Sequence, residues 1–185
     1  MNSFILFAQP WWVNLLILVP IASYIAFRKG LTIAKTQLAI TAIFGLAFGF
    51  VEASVVIYLR AATGLLPQSA NLYQPTVVLN DLAKTLFTIE LFREVVTVIM
   101  LITVALLAVR KLKERWAIFL WVFGFWDLFY YVGLWLTTRW PNSLITQDVL
   151  FLIPVPWVAQ VWFPCLVSVA TLLMVAINRR DGKES

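Results

Sequence analysis

The sequence predicts an all-α fold: a single transmembrane domain over residues 1–185, built as a bundle of five membrane-spanning helices, N-terminus outside and C-terminus cytoplasmic. Three observations carry this reading. Of the residues, 62% are hydrophobic and only 12% charged, whereas a soluble domain is about half apolar and about a quarter charged. The apolar residues gather into five stretches near the roughly 20 residues that a helix needs to cross a bilayer. The basic residues collect in alternate loops, which assigns the two sides.

The first stretch runs from about Trp11 to Phe27 and carries Pro20, which is expected to kink it. Met1 to Gln9 contain no Lys or Arg, and no small-residue cleavage site closes the apolar run, which speaks against a cleaved signal peptide. The second stretch runs from about Gln37 to Leu59, where Gly45, Gly49 and Ala53 form a ridge of small residues suited to close helix approach within the chain. The third runs from about Lys84 to Val109, with Asn80 or Asp81 placed to cap it. The fourth runs from about Trp116 to Thr138. The fifth runs from about Val155 to Ile177, its start shaped by Pro154, Pro156 and Pro164. Before it, Asp148-Val-Leu-Phe-Leu-Ile-Pro is too short to span and too apolar for open water, so it is expected to lie in the interface or dip back. Asp148 itself reads as a helix cap. Trp11, Trp12, Trp140 and Trp157 fall near outer span ends and Trp116 near an inner one, the positions of an aromatic belt.

Ten of the 14 basic residues fall between spans one and two (Arg28, Lys29, Lys35), between spans three and four (Arg110, Lys111, Lys113, Arg115), or in the tail (Arg179, Arg180, Lys183). Positive charge favours the cytoplasmic face, as in a bacterial-type inner membrane. A basic rim against anionic lipid accounts for the net charge of +5 without a nucleic-acid partner. The chain has no His, which excludes His-ligated haem and every Ser–His or Cys–His nucleophile pair. The lone Cys165 excludes an internal disulfide and reads as a small buried hydrophobe.

Five charged residues fall inside the spans: Glu52, Glu90, Arg93, Glu94 and Asp127. Each costs roughly 2.5–3.5 kcal/mol near a helix centre, so a helix carrying three of them must face protein or water rather than lipid. At a rise of about 1.5 Å per residue, Glu52 lies roughly 12 Å below Arg60, and Glu90 and Glu94 roughly 9 and 15 Å below Lys84. Asp127 lies roughly 16 Å below Thr138. These depths overlap, so spans two, three and four are expected to share one polar cluster opening outward, with Glu90 nearest its mouth. Glu90, Glu94, Thr97 and Leu101 form one stripe, with Arg93 in reach of Glu90. On the fourth span Gly124, Asp127 and Tyr131 share a face, with Tyr130 adjacent. Four acids against one Arg do not balance, so some are expected to be protonated or a cation to be present.

Two readings of function stay open. In the first, the cluster binds a cation, a proton or a lipidic ligand, with Glu52, Glu90, Arg93, Glu94, Asp127 and Tyr131 as the candidate residues. Carboxylates without His suit a hard divalent cation, whose candidate ligands are Glu52, Glu90, Glu94 and Asp127. An enzyme acting on a lipid would use a neutral acid here as proton donor. Glu90-x-x-Arg93-Glu94 resembles the acid-and-arginine motifs of some intramembrane proteases, but their partnering histidines are absent and no catalytic residue is assigned. In the second reading the chain is an accessory subunit of a larger membrane complex and the charges only fix helix packing. The partners implied are membrane lipids, and a membrane-protein partner or a second copy.

Overall fold

The computed structural model describes residues 8–62 and 84–180. Asn80, Asp81 and Lys183, and the expectations attached to them, lie outside the described residues. The elements run as a 3-10 helix Trp11–Ile17, α1 (Leu18–Phe27), α2 (Lys35–Ala62), α3 (Lys84–Ala108), α4 (Leu112–Thr138), β1 (Gln147–Phe151), β2 (Trp157–Gln160) and α5 (Trp162–Asn178). Among the described residues, three helices are long and apolar enough to cross a membrane: α2, α3 and α4. The flanking segments Trp11–Phe27 and Trp162–Asn178 are apolar but shorter.

Pro20 acts differently from the expected kink. A proline has no N–H to donate, and its ring clashes with the carbonyl four residues back when it sits inside an α-helix. The chain avoids both problems by winding as a 3-10 helix to Ile17 and turning α-helical only at Leu18, which leaves Pro20 in the first turn of α1. Asn14 secures the lead-in. Its side chain accepts the Ala8 N–H at 2.9 Å and donates to the carbonyls of Ala8 and Trp11 at 2.9 and 2.8 Å.

The all-α expectation is corrected between α4 and α5. Residues from Val155 were expected to open the fifth helix; instead β1 and β2 form an antiparallel hairpin with Asp148 opposite Ala159 and Val149 opposite Val158. Pro154 and Pro156 forbid a helix through this stretch, and the β-branched and aromatic residues on either side suit strands. Gln9 joins the hairpin by exchanging two 2.8 Å backbone hydrogen bonds with Val158. The apolar segment thus pairs much of its backbone within the hairpin, and its Phe151 packs on Phe123 and Trp126 of α4.

The central helix is α4, which packs on α2, α5 and α3. The ridge on α2 explains the closest of these contacts. A Cβ at Gly49 would lie 2.5 Å from the Trp126 carbonyl oxygen, and one at Gly45 would lie 2.8 Å from that of Val122. Only glycine allows the two backbones to approach so closely. Between α2 and α3 the contact is sparse, and α3 keeps one flank open. That flank forms a wall of the site.

At the end that carries the basic residues, Arg28, Lys29, Lys35, Arg110, Lys111 and Arg180 are exposed, while others hold backbone carbonyls. Lys113 donates to the Gly30 carbonyl at 2.7 Å, Arg179 to that of Ile33 at 3.0 Å and Arg115 to that of Val109 at 3.0 Å. Glu114, only 8% exposed, accepts the hydroxyl of Thr32 and pairs with Lys111. The three basic side chains thus supply donors to carbonyls of the connecting turns.

Candidate functional site

On α3 the expected stripe is the buried face: Glu90, Glu94, Thr97, Leu101 and Ala105 are each 7% exposed or less. Their spacing of three and four residues keeps them on one side, while Phe92, Val96 and Leu107 point outward. Arg93 borders the stripe. Its guanidinium donates to Glu90 at 2.7 and 2.8 Å and meets Glu52 of α2 directly. The Thr97 hydroxyl donates to Glu52 at 3.4 Å. Two helices with little other contact are thus joined through one cation shared by two acids.

The remaining acids have different partners. Glu94 accepts the backbone N–H of Leu152, at the end of the hairpin, at 2.9 and 3.0 Å. Asp127 accepts the Ser168 hydroxyl of α5 at 2.8 Å. Tyr131 donates to Asp148 at 3.2 Å. Asp148 also faces Arg60 at 3.7 Å, and the Arg60 guanidinium lies 4.1 Å from the centre of the Trp140 ring.

The structure brings all six sequence candidates to the walls of one cavity of about 620 Å³. Glu52, Glu90, Arg93, Glu94, Asp127 and Tyr131 line it together. Glu52, Glu90 and Glu94 are equally buried, each 7% exposed, and the Arg93 side chain is more open than that of Glu90. Among the described residues, no three Asp, Glu or Cys side chains come together as metal ligands. The four metal candidates are drawn apart by Arg93, the Leu152 amide and Ser168.

Sequence reasoning missed Arg60, Asp148 and Ser168. Asp148, assigned as a helix cap, is 1% exposed and bonds a tyrosine and an arginine inside the protein. Arg60, used above only as the depth reference for Glu52, is 4% exposed. The insertion cost that singled out Glu52 applies equally to a charge opening the apolar run Val149–Ile153. Two of the expected belt tryptophans also turn inward: Trp140 is 1% exposed and Trp157 lines the cavity, edge-on to Trp12 at 5.1 Å. With these residues included, five acids face two arginines.

Away from the charges the cavity is apolar. Leu16, Val19, Phe119, Leu120 and Phe123 line it, and it extends along α4 as far as Trp116. From Trp116 to Tyr131 is fifteen residues, a length of about 22 Å. Val95 and Ile99 of α3 line the cavity yet are 44% and 54% exposed, so it opens sideways past α3. The arrangement can hold an elongated molecule, offering it carboxylates, a tyrosine and arginines at one end and hydrocarbon contacts along the rest. No family model matches this chain, and no curated protein or solved structure is similar to it.

Proposed function

We propose that this chain is a multi-pass membrane protein that holds a lipidic molecule in its intramembrane cavity, polar group toward Glu52, Arg93, Glu94 and Asp127 and chain along α4. One observation carries the reading: a buried charge cluster and a long apolar channel are parts of the same cavity, with a side opening between apolar, exposed residues. A proton or bare cation needs the first part but not the second. A lipid uses both, and a sideways opening suits a ligand that arrives through the bilayer.

Five spans fit this reading. Seven residues at about 2.0 Å and ten at about 1.5 Å give Trp11–Phe27 a length of roughly 29 Å, close to the roughly 30 Å hydrocarbon core. At about 25 Å α5 is shorter. The basic residues at the opposite end favour a cytoplasmic position for that end, which would set the charge cluster in the outer half of the membrane. A thiol-reactive, membrane-impermeant reagent applied to intact cells should modify Asn2→Cys in a Cys165→Ala background. Modification only after the cells are opened would reverse the orientation.

Native mass spectrometry after gentle detergent extraction tests the ligand. The expected result is the chain, or a small multiple of it, carrying an added mass of lipid size that survives mild activation. Extraction only with larger proteins, with no added small molecule, would favour the accessory-subunit reading instead.

A further inference from the structure

The volume of the cavity and its length together fix its width. It holds about 620 Å³ and follows α4 from Tyr131 to Trp116, a path of about 22 Å. Volume divided by length gives a mean cross-section of about 28 Å². An extended chain advances roughly 1.2 Å per backbone bond. A methylene group takes about the space of one water molecule in the liquid, roughly 30 Å³. One hydrocarbon chain therefore has a cross-section of roughly 25 Å², and two side by side need about twice that. The cavity is one chain wide.

Its capacity agrees with its width. The volume accommodates roughly 20 groups of methylene size, polar head included. Along about 22 Å an extended chain sets down roughly 18 bonds. Trp116, Phe119 and Phe123 line the far stretch, with ring centroids 5.4 and 6.0 Å apart in succession. Three rings in mutual contact thus form one side of the channel.

Fit, rather than transfer from water, sets the choice of ligand. A lipid tail in the bilayer is already in apolar surroundings, so entering the cavity gains little from the hydrophobic effect. Packing discriminates instead: a short chain leaves a void, and a long one must bend or protrude. A second chain has no room beside the first and would lie outside, past the exposed Val95 and Ile99. Holding both chains at that opening costs ordering and adds no contact inside.

Resting on the lipidic reading above, we infer that the ligand is a lipid with a single long chain of about 16 carbons, seated between the charge cluster and Trp116. Two-chain membrane lipids are bystanders at this site.

Competition in nanodiscs, read by native mass spectrometry, tests this. Four probes are supplied in equal amounts: 1-acyl-2-acetylglycerols with acyl chains of ten, sixteen and twenty-two carbons, and dipalmitoylglycerol. All four present the same ester head with one hydroxyl and differ only in the number and length of their long chains. The sixteen-carbon probe should be retained at least fivefold over the shorter and longer ones, and at least tenfold over dipalmitoylglycerol. Trp116 is 45% exposed, so replacing it with Ala lengthens the seat without emptying the core. Trp116→Ala should raise the share of the twenty-two-carbon probe several-fold. Dipalmitoylglycerol retained as well as the sixteen-carbon probe, or bound proportions that do not peak at sixteen carbons, would overturn the one-chain assignment and leave the lipidic reading standing. Unchanged proportions in Trp116→Ala would overturn the placement of the chain's end. No adduct from any of the four would count against the cavity as a lipid site altogether.

Discussion

Replacing Arg93 with Leu should cost about 3–5 kcal/mol of stability, the loss expected when one partner of a buried ion pair is removed and the other is left charged. Here two acids are left. Glu52 and Glu90 are each 7% exposed and both take their cation from Arg93. Removing it also removes the main link between α2 and α3, which touch little elsewhere. Arg93→Lys should recover part of the loss, since an ammonium keeps the charge but cannot serve two carboxylates with a planar fork. Adding Glu52→Gln to Arg93→Leu should recover part as well, because one unpaired charge disappears. Unfolding in detergent followed by tryptophan fluorescence checks all three. A loss below about 1 kcal/mol for Arg93→Leu would mean that the group behaves as a solvated surface pair.

Asp148→Ala should have the next largest effect. The Tyr131 hydroxyl, inside a residue only 7% exposed, loses its acceptor, and a buried donor left so costs about 1–3 kcal/mol. Arg60 loses a facing anion in addition. The hairpin should suffer most, because Asp148 and the Leu152 amide bonded to Glu94 both tie it to the helices. Hydrogen exchange at residues 147–160 should therefore rise in Asp148→Ala, with α2 and α4 little changed. Asp148→Asn keeps an acceptor for Tyr131 and should fall between wild type and Ala. Unchanged exchange in the hairpin of the Ala variant would contradict this role.

The helices were legible because their signals are local. Apolar runs near 20 residues mark α2, α3 and α4, and the three-and-four spacing from Glu90 to Leu101 marks the face that α3 buries. The meeting of Glu52 and Arg93 was legible from depth and helical phase together, since rise per residue converts sequence position into height. What remained hidden depends on contacts distant in sequence. Arg60 and Asp148 are 88 positions apart and stand at the ends of apolar runs, where a charge ordinarily meets water. Their burial follows from the hairpin packing against the helices, and no periodicity within either segment reports that. The hairpin itself had a readable sign: two short runs rich in β-branched and aromatic residues flank Pro154 and Pro156. Read as a single apolar segment leading into a helix, it concealed the wall it contributes to the cavity. Ser168 gave no sign, being one hydroxyl in an apolar helix.

The cavity takes shape from these same contacts. The glycines of α2 draw it against α4, the Arg93 bridge places α3, and the hairpin closes the polar end through Glu94. Farther along, Leu101 and Ala105 anchor α3 in the core it shares with α4, while Val95 and Ile99 on its flank stay exposed.

The central claim, that the cavity holds a lipidic molecule with its head at the charge cluster, is tested most directly by the density inside it. An experimental structure of the protein extracted from its own membranes into lipid nanodiscs should contain elongated, non-protein density running from Glu94 and Asp127 past Phe123 toward Trp116. A cavity containing only ordered water, or one closed by α3 packing against α5, would contradict the claim.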